Sequence, residues 1–186
     1  AVGNDGTTPA TPKKTLSQIL SLYTLADGDI VYIDAGTYTT DKTFISGTSL
    51  VHLGGFSLIG AGNQSTIFDL AAHNNYFAKI NMGGVARDKT IKIKDIQFKG
   101  YSSTNISFGS VLTFSGNNGG GHGNSLVIDN VIFNQNGYSG TSTSSLIISG
   151  YTDFTMNGGG FLCNGNSASG FNGSSIQILG TNNTVN

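Results

Sequence analysis

The chain has 186 residues, a formal net charge of −1 and charged residues at only 10% of its length, against roughly a quarter in ordinary domains. That length fits one domain with a sizeable core. The near-neutral balance, with no basic stripe, excludes nucleic acid and anionic membrane surfaces as expected partners, and no apolar run reaches the eighteen or so residues that span a bilayer. All ten acidic residues are Asp, Arg87 is the sole arginine, and Gly, Ser, Thr and Asn are abundant. Helix formers are therefore scarce and bend formers plentiful. Ile, Leu, Val and Phe recur in phase, which a disordered chain does not require. A lone cysteine, Cys163, excludes an internal disulfide and reads as a buried, inert thiol. The chain begins at Ala1 rather than Met, so removal of a leader or tag is expected; no signal peptide is visible in the sequence.

Residues 1–14, with Pro9 and Pro12, read as an extended N-terminal arm. Thr15 to Tyr23 is the one expected helix: Leu16, Ile19, Leu20 and Tyr23 form a stripe and Thr15 can cap it. At the start of a stack of strands, such a helix would cover the first unpaired edge. After a turn at Ala26-Asp27-Gly28-Asp29, the run Ile30 to Tyr38 reads as strand, bend and strand. Further strands are expected at Thr43 to Ile45, Leu50 to Leu53, Phe56 to Ile59, Thr66 to Leu70 and Tyr76 to Met82.

A repeat then becomes explicit. Thr90-Ile91-Lys92-Ile93-Lys94-Asp95-Ile96-Gln97-Phe98 is matched by Ser125 to Phe133 and, more loosely, by Asp153 to Phe161. Each copy carries an apolar pair two residues apart (Ile91/Ile93, Leu126/Ile128, Phe154/Met156), a bend at Asp95, Asn130 or Gly158, and a closing Phe98, Phe133 or Phe161. A second register aligns Leu112 to Gly116 with Leu146 to Gly150 and Gln177 to Gly180. Copies recur about every 28 to 35 residues, the range of stacked repeats. Three short strands per turn without intervening helix predict a parallel β-helix of about five or six coils, roughly 25 Å long at about 4.8 Å per coil. Residues 15–186 are expected to be this single domain. No polar cap follows the last strand, so the chain is expected to continue in a longer parent or to assemble at its C-terminal end.

The helix followed by Gly28-Asp29-Ile30-Val31-Tyr32-Ile33, Gly36-Thr37-Tyr38, Leu58-Ile59-Gly60-Ala61-Gly62 and Thr66-Ile67-Phe68-Asp69 resembles the opening of the pectate-lyase-like right-handed parallel β-helix superfamily, by motif over about residues 15 to 70 and by repeat pattern beyond. That resemblance implies an all-β, right-handed fold with an N-terminal capping helix. It leaves function open between polysaccharide lyases, glycoside hydrolases, fibres, adhesins and silent surface domains.

Each candidate site implies a different chemistry. A glycosidase needs two carboxylates facing one another; Asp95 and Asp129 are the best-placed pair, though Asp at a bend also suits its backbone. Gly121-His122-Gly123 is similar to the glycine-flanked histidine of polygalacturonase-like hydrolases, but the Asp-Asp that accompanies it there is missing, and the segment reads more simply as a glycine loop. A lyase needs a cation against the uronate and a base for the C5 proton. Arg87, Lys89, Lys92 and Lys94 with Asp88 and Asp95 are the local group that could supply both, Arg87, Lys92, Lys94 and Asp95 foremost; Lys92 and Lys94 also fit an ordinary solvated strand face. Asp27, Asp29 and Asp34 could hold calcium, the one cofactor considered, but occur in turns where Asp is common. Tyr101, Tyr138 and Phe171, in loops at matching repeat positions among Ser, Asn and Gly, are the candidate glycan-binding row. Neither Asp, Glu, Lys nor Arg follows Asp153. The sequence therefore favours a non-catalytic extracellular or cell-surface module, structural or adhesive, binding polysaccharide or other copies of itself through its ends. The alternative is a polysaccharide lyase, or part of one, acting on uronate polymers.

Overall fold

A computed structural model describes residues 4–39, 50–51, 54–71, 78–82, 88–100, 102–103, 110–116, 123–134, 137–138, 144–150, 152–162, 165–166, 174–179 and 184–185. Helix α1 (Leu16–Leu22) begins where expected: the Thr15 hydroxyl accepts the Gln18 N–H, and Leu16 is buried. The strands follow as β1 (Asp29–Ile33), β2 (Gly36–Tyr38), β3 (Leu50–Val51), β4 (Phe56–Gly60), β5 (Thr66–Asp69), β6 (Ala78–Asn81), β7 (Thr90–Lys94), β8 (Gln97–Lys99), β9 (Ser102–Ser103), β10 (Ser110–Ser115), β11 (Asn124–Asn134), β12 (Gly137–Tyr138), β13 (Ser144–Ser149), β14 (Thr152–Leu162), β15 (Gly165–Asn166), β16 (Ser174–Leu179) and β17 (Thr184–Val185). The expected strand at Thr43 to Ile45 lies outside the described residues, as do His122 and Cys163.

Strand pairing corrects the expected right-handed parallel β-helix of three-strand coils. The described strands form one nine-stranded sheet, a five-stranded sheet (β16-β13-β10-β6-β3) and a small sheet β15-β12-β9 whose members are two residues long. All described pairs are parallel. The arms before and after each bend, read from the sequence as separate strands of a coil, belong to the same sheet. β1-β4-β7 pairs with the first half of β11, β2-β5-β8 with its second half, and β14 then runs the length of β11.

The physical reason is the bend itself. Asp95 and Asn130 take left-handed backbone angles (φ 57° and 54°), and Gly158 does so at 66°. A single left-handed residue re-aims the next side chain without breaking the ladder on either side. Asp95 N–H donates to the Asp129 carbonyl at 3.0 Å and Ile132 N–H to the Ile96 carbonyl at 3.0 Å, so hydrogen bonding continues across it. Asp and Asn tolerate this conformation better than other non-glycine residues.

The repeat fixes the core. Leu58, Ile93, Ile128 and Met156 share one register, and Ile91, Leu126 and Phe154 another. Tyr38, Phe68, Phe98, Phe133 and Phe161 stack ring on ring, with centroids 5.2, 5.8, 5.5 and 4.9 Å apart. The three middle rings are fully buried. The opposite wall comes from Ile80, Phe114 and Ile148 of the five-stranded sheet, in register and buried.

Candidate functional site

One cluster of ionised groups lies on the outer side of β7 and β11. Alternation sends Ile91 and Ile93 inward and leaves Lys92 and Lys94 half-exposed. Lys94 lies directly opposite Asp129 in the ladder. Lys92 Nζ is 3.1 Å from Asp129 Oδ2, Lys94 Nζ is 3.6 Å from the same oxygen, and Lys94 Nζ is 3.9 Å from Asp95 Oδ2. The Asn130 amide donates to Asp95 Oδ1 at 2.6 Å, and the Asn63 amide donates to Asn130 Oδ1 at 2.6 Å. Three bends are thereby tied by side chains.

This arrangement suits cohesion better than acid–base chemistry. The Lys92 hydrogen bond comes first in holding the Asp129 carboxyl below its ordinary 3.8, and the nearby Lys94 charge adds to it. A general acid must retain a proton near the working pH; Asp129 is displaced the other way. A proton-abstracting amine needs a free lone pair, and Lys92 Nζ is turned onto Asp129 instead. The lyase candidates Lys92, Lys94 and Asp95 are thus brought together, with Asp129 at their centre. Arg87 lies outside the described residues.

The turn aspartates do not converge. Asp27 accepts Lys89 Nζ at 2.7 Å and Gly55 N–H at 3.0 Å; the Lys89 bond on its carboxylate is the main reason its carboxyl is held below 3.8. Asp29 Oδ2 accepts Ala26 N–H at 2.7 Å and closes its own turn. Asp34 holds Thr66 and Tyr38 hydroxyls with its carbonyl, at 3.1 and 2.9 Å. Among the described residues, no three His, Cys, Asp or Glu side chains group closely enough to hold a metal ion.

Of the aromatic row, Tyr101 and Phe171 lie outside the described residues. Tyr138 sits in β12 with Ser103 and Asn166 as its register partners. Two features had no sequence signal strong enough to find them. The Lys89–Asp27 pair joins residues 62 apart, and a cavity opens between α1 and β1. Among the described residues no helix is long and apolar enough to cross a membrane.

Compared with family models, curated proteins and solved structures, the chain matches none of them. The likeness to the pectate-lyase-like superfamily therefore stands on its sequence motifs alone.

Proposed function

We propose that this chain is a non-catalytic structural or adhesive module of the extracellular space or cell surface, joining other copies of itself or holding glycan. The observation that carries the reading is the self-neutralised patch: Lys92, Lys94, Asp129, Asp95 and Asn130 are spent on one another across strands, and Asp129 is driven away from a catalytic protonation state. Supporting it, outer strands carry exposed apolar side chains: Ile30 and Tyr32 on β1, Ile178 and Leu179 on β16, and Val185 on β17. Outer strands with apolar side chains are templates for further strand pairing. With nine Lys and Arg against ten Asp, the sequence carries no excess of positive charge of the kind a nucleic-acid partner favours.

The second reading, a polysaccharide lyase acting through Lys92, Lys94 and Asp95, is favoured by the cluster's location on one exposed sheet face. One experiment separates the two. Incubating the protein with a panel of uronate polymers, with and without calcium, should give no rise in ultraviolet absorbance from unsaturated products. A rise that disappears in a Lys92→Ala variant would overturn the passive reading. In parallel, light scattering should report particles larger than the 19.2 kDa chain; a strictly monomeric particle would remove self-assembly.

A further inference from the structure

A cavity of about 480 Å³ lies between the N-terminal arm, α1 and β1. Its size falls within the roughly 300–1,000 Å³ of small-ligand sites. The floor is aromatic: Tyr38, the terminal ring of the described stack, and Phe68 beneath it. Tyr32 stands at the wall, 74% exposed, although a tyrosine so open gains little from the fold itself. Asp29, Asp34, Lys13 and Lys14 supply the charged lining. Asp29 is committed to the Ala26 N–H, whereas the Asp34 carboxylate and the Lys13 ammonium have no hydrogen-bond or ion-pair partner among the described residues.

The roof of this cavity is a fastened loop. Asp5 Oδ1 accepts the Thr11 hydroxyl at 2.6 Å and the Thr7 N–H at 3.0 Å, and these bonds lower its pKa from 3.8 to about 2. Asn4 donates to the Pro12 carbonyl at 2.9 Å, and the Tyr23 hydroxyl of the α1 cap donates to the Asp5 carbonyl at 2.9 Å. On the opposite side, Thr66 and Tyr38 pin the Asp34 backbone. Both walls are thus set before any ligand arrives, which reduces the ordering cost of binding.

We propose that this cavity is a sugar-binding site that takes a neutral pyranose ring from a glycan. One face of such a ring is C–H and lies against an aromatic side chain; its rim is hydroxyl and pairs with charged or polar groups. Tyr38 and Tyr32 offer the first surface, and Asp34 and Lys13 the second. A ring seated on Tyr38 extends the aromatic stack by one member. Two carboxylates (Asp29, Asp34) and two ammoniums (Lys13, Lys14) lining the same space offset one another, which favours a neutral sugar over a uronate. The site is separate from the patch on β7 and β11, so the uronate assay neither supports nor removes it.

The test is saturation-transfer NMR on the full chain with four probes: cellobiose, lactose, diacetylchitobiose and digalacturonate. At least one neutral disaccharide should show transfer. Tyr32→Ala should weaken that binding about tenfold or more while leaving the melting temperature unchanged, because the side chain is so exposed. Asp34→Ala should weaken it similarly, since it keeps the carbonyl that holds the fold. No transfer from any probe, or transfer indifferent to both variants, would overturn the proposal. A response confined to digalacturonate and lost in Lys13→Ala would overturn the neutral-sugar assignment.

Discussion

Gly159→Ala should destabilise the protein by about 3 kcal/mol or more, lowering its melting temperature by roughly 6–12 °C for a chain of this size. Gly159 has φ 72°, and a Cβ there would collide with the Val131 backbone, its carbonyl oxygen foremost. Left-handed backbone alone costs an alanine about 1–2 kcal/mol. The collision adds to this because the obstacle is backbone of the paired strand, which moves only if β11 and β14 separate. The adjacent position is the internal control. Gly158 has φ 66°, but the nearest atom to its Cβ would be Asn130 Cα at 3.9 Å. The equivalent bends already hold Asp95 and Asn130, so Gly158→Asn should cost less than about 1 kcal/mol. Thermal melts of the two variants check this, and equal effects would contradict the register at the bend.

Phe133→Ala should cost about 3–5 kcal/mol in urea denaturation, the range for deleting a buried aromatic. Phe133 is fully buried between Phe98 and Phe161, 5.5 and 4.9 Å away between centroids, so truncation removes two ring contacts and leaves a gap in the middle of the stack. Phe161→Ala should cost roughly half as much, because that ring is only partly buried and has one described ring neighbour. A loss below about 1 kcal/mol at Phe133 would mean that the rings do not carry the core.

The register was legible because the repeat encodes it. Ile91 and Ile93 alternate with lysines, Leu126 and Ile128 with Ser125, Val127 and Asp129, and each triplet ends in a phenylalanine at the same offset; in-register pairing then builds the columns. The bends at Asp95, Asn130 and Gly158 were legible for the same reason. How the arms join was not. Alternation of period two says which face a side chain takes, not whether a left-handed residue ends a ladder or lets it pass. The sequence could therefore suggest three-strand coils where the structure has one nine-stranded sheet with bends inside it.

The candidate patch was half legible. Lys92 and Lys94 alternate visibly, but their pairing with Asp129 depends on the neighbouring strand. Asn63 reaching Asn130 across 67 positions has no local pattern at all. The cavity depends on where an arm with Pro9 and Pro12 folds back, which is fixed by Asp5 and Tyr23 rather than by any periodicity.

The proposed passive role rests on Asp129 being a paired carboxylate, and a carboxyl-carbon NMR titration of that residue reads it directly. Its midpoint should fall below 3.8, with the Lys92 bond as the main cause. A depressed folded value stabilises the protein above the unfolded pKa, and this contribution is lost as pH falls through the folded one. Lys92→Ala should return the midpoint toward 3.8. A midpoint raised toward neutrality would instead mark a proton-carrying catalytic group and contradict the account.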